Sequence, residues 1–256
     1  MRLNETIIQK SKILKTIIQK IEKDLPNDIS VLVCYGSFIT GKMHKYSDID
    51  FFFIPKTENG YKLAYQFIIK EIGYDLWPIS WNRAEKISKL QESLQSIFID
   101  GKVLYFSTNE DLHRYDELVT RLKDNLQNKS LSSKPEIGQE NKQEKQQDSN
   151  RLIGFYEEFK SIYNKLRYSC ETENIDLARY SAVIIDRETS TILKPFTKTL
   201  EFPSLVQSLR SKDFQKIQGD CNTHEKIFLE MLKSLDVPLN IFSSIEEFET
   251  TFNQRV

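Results

Sequence analysis

Apolar side chains recur at helical spacing over residues 4–23, at Ile7, Ile8, Leu14, Ile17, Ile18 and Ile21, with charges between them. That pattern predicts an amphipathic helix. Asn4 is a fair N-cap for it, and Pro26 cannot continue it. Ile29 to Tyr35 is short, apolar and rich in β-branched residues, which predicts a buried strand. A Gly-Ser pair and a short polar loop follow, and Asp48 to Pro55 reads as a second strand. Thr57-Glu-Asn-Gly60 is turn chemistry. Leu63, Phe67, Ile68 and Glu71 keep helical spacing over Tyr61–Ile72, with Gly73 placed to close that helix. Tyr74 to Trp81 predicts a third strand. A helix capped by Asn82 then carries Ile87, Leu90, Leu94 and Phe98 as far as Asp100-Gly101. Lys102 to Ser107 suits an edge strand, and Asn109 to about Leu126 is again helical.

Residues 127–150 hold only two large apolar side chains and no aromatic. Such a segment buries too little to offset its chain entropy, so a polar linker is expected, with a polar helical extension as the other option. From Arg151 onward the periodicity is helical only. Segments 151–169, 174–194, 203–217, 221–235 and 244–254 predict a bundle of four or five helices. The expected organisation is an α/β domain over 1–126, a linker over 127–150 and a helical domain over 151–256.

Composition narrows the classes of function. Charged residues make up 29% and apolar residues 39%, ordinary for a globular protein, and eight glycines leave few tight turns. A net charge of −1 gives no global pull toward nucleic acid or anionic lipid. With no basic stripe carrying interleaved aromatics, polymerisation of nucleic acid is disfavoured. Cys34, Cys170 and Cys221 are far apart and odd in number, which argues against a disulfide framework or a zinc site. The first helix is charged throughout, unlike a signal peptide, and no apolar run reaches the roughly 18 residues of a membrane span. A cytoplasmic protein without a membrane partner is expected.

The candidate chemistry sits between Val31 and Pro55. Side chains alternate along a strand, so Asp48 and Asp50 point to one face while Ile49, Phe51 and Phe53 point to the other. Two carboxylates about 7 Å apart along a strand can share a divalent cation, and Asp75 on the next strand can reach the same point. Three bare carboxylates repel, each pair by about 4 kcal/mol at 4 Å and an effective dielectric of 20. A cation, or protonation of one member, would offset that. Gly36-Ser37 directly follows the first strand and offers backbone N–H groups and a hydroxyl to a phosphate. Lys42, His44 and Lys45 in the loop could touch phosphates or be solvated. His113 and His224 carry no signal. Tyr74, Trp77 and Trp81 surround Asp75 and suit either acceptor stacking or packing.

Gly36-Ser37, ten intervening residues, Asp48-x-Asp50 and a later strand Asp75 resemble the DNA polymerase β-type nucleotidyltransferase superfamily. Tyr35-Gly-Ser37, Tyr46-Ser-Asp-Ile-Asp50 and the helical C-terminal half resemble its aminoglycoside (kanamycin-type) nucleotidyltransferases. The core resemblance covers residues 25–107. It implies a nucleotidyltransferase-type mixed sheet flanked by helices and followed by an all-α domain, hence an α+β fold. It further implies transfer of a nucleoside monophosphate from ATP or another NTP to a hydroxyl through two Mg²⁺ ions. Asp48 and Asp50 would hold both ions and Asp75 one of them. Gly36 and Ser37, aided by Lys42 and Lys45, would hold the triphosphate. Glu158 would act as base, with Glu157 one step away. MgATP and a small hydroxylated acceptor, such as an aminoglycoside-like antibiotic, would share the interdomain cleft, and the family implies self-association.

Rival readings fail on particular residues. Gly36-Ser-Phe-Ile-Thr-Gly41-Lys42-Met43 nearly spells a P-loop, but Met43 stands where a hydroxyl must meet Mg²⁺, and a strand rather than a long helix follows. A glycosyltransferase Asp-x-Asp would follow several βα units rather than one strand. An antitoxin-type nucleotidyltransferase module that modifies or binds a partner protein or RNA stays as the alternative. No arginine stands four to six residues before His113 or His224, so the helical half is not expected to be a ribonuclease.

Overall fold

The computed structural model describes residues 3–130, 148–193, 200–235, 237 and 239–255. Helix α1 (Leu3–Asp24) runs through Asn4 and stops short of Pro26. Its Ile13, Ile17 and Ile21 are fully buried. Strand β1 (Ile29–Tyr35) leads through Gly36 into a one-turn helix, α2 (Ser37–Thr40). Strand β2 (Ile49–Pro55) returns antiparallel to β1, from Ile29 opposite Pro55 to Tyr35 opposite Asp50. After a 3-10 turn, β3 (Tyr65–Ile69) and β4 (Ile72–Pro78) form a hairpin that sets β4 parallel to β2. Helices α3 (Trp81–Ser88) and α4 (Gln95–Ile99), strand β5 (Lys102–Phe106) and helix α5 (Asn109–Ser130) complete the N-terminal run. With β6 (Ile241–Phe242) from the end of the chain, the sheet order is β5-β1-β2-β4-β3-β6, so β5 is the edge strand its sequence suggests.

The sheet is covered on both faces. Leu32, Cys34, Ile49, Phe51 and Phe53 pack with α1. Val31, Val33, Phe52 and Ile54 pack with residues of α3, α4 and α5. This is a mixed sheet flanked by helices, as expected.

Residues 61–72 depart from the expected helix. Tyr65, Phe67 and Ile69 are buried at period two, and Phe67 stacks on Tyr74 at 5.0 Å and on Phe248 at 4.2 Å. Cross-strand aromatic packing therefore overrides the helical spacing of Leu63, Phe67 and Ile68. Lys70 and Glu71 turn the hairpin with φ of 47° and 74°. Such a two-residue turn is ordinarily signalled by Asn or Gly, and its absence hides the hairpin. Gly73 accordingly lies inside β4 and caps nothing. The expected helix over 82–99 is two helices, because Leu90 and Leu94 take left-handed backbones, φ 59° and 85°. Ser80 rather than Asn82 caps α3, its hydroxyl accepting from the Arg83 N–H at 3.2 Å.

A second compact unit spans 146–240. It contains α6 (Asp148–Glu171), α7 (Ile175–Ile192), α8 (Leu205–Ser208) and α9 (Phe214–Ser234). Of the expected linker, 127–130 finish α5, 148–150 open α6 and 131–147 lie outside the described residues. Tyr156, Lys160, Tyr163 and Arg167 line one stripe of α6 against α9. Glu225 accepts from the Tyr156 hydroxyl at 3.1 Å and the Lys160 ammonium at 2.8 Å, and Arg167 grips its other oxygen. His224 joins the Tyr163 hydroxyl through Nδ1 at 2.7 Å and the Thr189 hydroxyl through Nε2 at 3.2 Å.

The last segment corrects the expected boundary at 256. Residues 241–255 belong to the first unit. Strand β6 (Ile241–Phe242) joins the sheet edge beside β3, and α10 (Ile245–Asn253) lies along α1. Phe242, Phe248 and Phe252 fill the α1 core, and the Thr16 hydroxyl donates to Glu249 at 2.7 Å. Among the described residues, no helix is long and apolar enough to cross a membrane.

Candidate active site

Backbone register brings two of the aspartates side by side. Asp50 on β2 is the direct partner of Asp75 on β4 in the parallel pair, and of Tyr35 on β1. Residues paired in register show their side chains on the same face. That face is the one carrying Phe52, Ile54 and Trp77, while Ile49, Phe51 and Phe53 point into the α1 core as the alternation requires. Asp48 lies one residue before β2 and shares the parity of Asp50.

Two glycines make room for two of these carboxylates. Gly36 has φ 82°, and a Cβ there would come within 3.1 Å of Asp50 Oδ2. Its carbonyl accepts from the Ile39 and Thr40 N–H groups, which bends the chain into α2 and sets Ser37 beside the turn. Gly73, read in sequence as a helix cap, donates its N–H to Asp48 Oδ1 at 3.3 Å. A Cβ at Gly73 would come within 3.1 Å of that oxygen. The signal for Gly36 was its place after a strand. The role of Gly73 depends on the β3–β4 hairpin, which sets β4 beside β2 and Gly73 beside Asp48.

Hard carboxylate oxygens suit a hard divalent cation. Among the described residues, no group of three His, Cys, Asp or Glu side chains is arranged to hold a metal ion. One Asp48 oxygen accepts from the Gly73 N–H. Mg²⁺ ordinarily takes one or two carboxylates and completes its shell with water and substrate phosphate. The Asp50–Asp75 pair fits that smaller requirement.

Lys10 was not singled out in sequence. It is fully buried, and its ammonium donates to the Ser47 carbonyl at 2.5 Å and lies 3.3 Å from Met43 Sδ. Burial lowers its pKa to about 8, against the opposing pull of Asp48 and Asp50. The signal was available, because Lys10 falls on the stripe of Ile13, Ile17 and Ile21, where a charge is out of place. Tyr35 is also pushed up, by burial first and then by Asp50. Its hydroxyl accepts from the Trp77 indole N–H at 2.8 Å.

Lys42 is exposed, and Lys45 lies over the Tyr46 ring at 4.6 Å. His44 closes the loop, its N–H donating to Ser47 Oγ at 2.9 Å and its Nδ1 accepting from the Tyr46 N–H at 3.2 Å. Tyr74 is core, and the Trp81 indole donates to Ser30 at 3.3 Å beneath the Arg114 guanidinium. Glu158 belongs to α6 of the second unit, where desolvation and then the Glu188 charge raise its carboxyl above its usual range. The Glu157 side chain lies outside what the structure describes.

Residues 14–130 match the nucleotidyltransferase domain family, a little under half of the chain. The matched stretch contains Gly36, Ser37, Asp48, Asp50 and Asp75, and it supports nucleotidyl transfer as the activity of the first unit. No curated protein matches the sequence. Among solved structures, a nucleotidyltransferase-like protein from Exiguobacterium sibiricum 255-15 is similar at 8% identity. That likeness covers 87% of this chain and 75% of the other, with a TM-score of 0.33, and carries no argument about fold or activity.

Proposed function

We propose that the protein is a Mg²⁺-dependent nucleotidyltransferase moving a nucleoside monophosphate from ATP or another NTP to a hydroxyl of a small acceptor. The observation that carries this is the in-register Asp50–Asp75 pair beside the Gly36 turn, inside the family-matched segment. A divalent cation bound there would neutralise phosphate charge and align an in-line displacement. Asp50 and Asp75 would ligate it, with Asp48 as the neighbouring carboxylate. Gly36 and Ser37 would seat the triphosphate, and Lys42 and Lys45 would add positive charge along it. The acceptor oxygen bonds to the α-phosphorus as the bond to the bridging oxygen breaks, and pyrophosphate leaves. The acceptor's proton passes to a base, a role that rests on resemblance for Glu158. Burial and the Glu188 charge raise its carboxyl above the usual range, the direction that makes a carboxylate a better proton acceptor. An aminoglycoside-like antibiotic is the acceptor class the resemblance favours.

The test is incubation with α-labelled NTPs, Mg²⁺ and a panel of aminoglycosides, lincosamides, proteins and tRNA. Label on a small molecule supports the proposal. Label on protein or tRNA replaces the acceptor class but keeps the chemistry. Absence of pyrophosphate release with every acceptor rejects both.

A further inference from the structure

The loop that delivers Asp48 is tied to α1 by one buried side chain. The ammonium of Lys10 is wholly removed from water, a costly placement unless it is hydrogen-bonded. Its partners among the described residues, the Ser47 carbonyl and Met43 Sδ, belong to one short loop. Ser47 is buried and is bonded to Asp48 through the next peptide. The loop is also closed on itself, by the Ser47 N–H to the His44 carbonyl at 3.0 Å and the His44 N–H to Ser47 Oγ. On the other side of Asp48, the Gly73 N–H holds its carboxylate. Asp48 is thus fixed from both directions, through its backbone by Lys10 and through its side chain by Gly73.

Lys20, one helical stripe further along α1, provides a contrast. It too is buried, but it bonds to Asp24 at 3.1 Å and the Asn253 carbonyl at 3.3 Å, which ties α1 to α10 far from any candidate chemistry. At position 10 an apolar residue would extend the stripe of Ile13, Ile17 and Ile21 without desolvating a charge. We infer that Lys10 is a positioning residue: its ammonium anchors the Met43–Ser47 loop to α1 and so sets where Asp48 stands in the acidic site. The catalytic consequence rests on the function proposed above, whereas the anchoring itself does not.

The test is amide hydrogen exchange on the full chain without divalent cation, comparing wild type with Lys10→Met. Losing a hydrogen bond from a charged donor should quicken exchange at residues 44–48 by about tenfold, while β1 and β5 keep their protection. In the transfer assay kcat should fall with the nucleotide KM held within about twofold, and Lys10→Arg should recover part of the loss. Unchanged exchange at 44–48 overturns the inference. So does acceleration spread evenly over the first unit, which would make Lys10 a core residue only. If Lys10→Met does not fold, Lys10→Gln is read in the same way. If wild type transfers no label at all, the functional proposal fails while the exchange result still decides the anchoring.

Discussion

Asp50 and Asp75 are direct partners across the parallel β2–β4 pair, one carboxylate from each strand on one face. At about 5 Å in an effective dielectric of 20, such a pair repels by about 3 kcal/mol. Partial solvent exposure of both residues reduces this. Asp75→Asn should therefore melt higher than wild type without divalent cation, by an amount equivalent to about 1–2 kcal/mol, and lose at least roughly 100-fold in transfer rate. Thermal melting in chelator and the label-transfer assay check the two halves separately.

Gly36 has a backbone that side chains rarely adopt and a carboxylate where a Cβ would go. Gly36→Ala should cost about 1–2 kcal/mol in stability from the positive φ. Activity should fall by more than that loss explains, because Asp50 must move. Gly73→Ala has no such φ and should act mainly by displacing Asp48. Melting temperatures and kcat for the two variants distinguish strain from displacement.

His224 predicts an acid-sensitive second unit. Burial lowers its pKa to about 4 from an ordinary 6.5. The unfolded chain then binds more protons between those values, so stability falls as pH drops from about 6.5 toward 4 and levels off below. The difference corresponds to about 3 kcal/mol. Glu225 adds to it in the same direction: the Lys160 and Arg167 charges outweigh burial and lower its pKa, and that contribution disappears once it is protonated. Urea unfolding at pH 7 and pH 5 should show a smaller drop for His224→Gln than for wild type.

Glu225 is the carboxylate that Lys160 and Arg167 share inside the bundle. Replacing it by Gln leaves two cations facing a neutral amide. A loss of about 3–5 kcal/mol is expected, read as a shift of the urea midpoint of the second unit.

Much of the fold could be read from period alone. Strand β1 falls on its expected residues, and the bounds of α1, β2, α7 and α10 differ from expectation by a few residues. Where the reading failed, tertiary packing decided. Phe67 joins an aromatic stack with Tyr74, Phe248 and, through it, Phe252, a residue 185 positions away in the chain that no local window contains. The same long-range contact explains why 241–255 leave the helical half. In the site, the alternation placing Asp48 and Asp50 opposite Ile49 and Phe51 was legible, as was Asp75 on a neighbouring strand. The closeness of Gly73 to Asp48 and the burial of Lys10 depend on a hairpin and a loop path that sequence spacing does not encode.

The most direct measurement is calorimetric binding of nucleoside triphosphate, with and without Mg²⁺, to wild type and to Asp50→Asn, each shown to be folded at the temperature of the titration. The account predicts that Mg²⁺ strengthens binding to wild type and does nothing for the variant. Equal strengthening of both proteins by Mg²⁺ would contradict it.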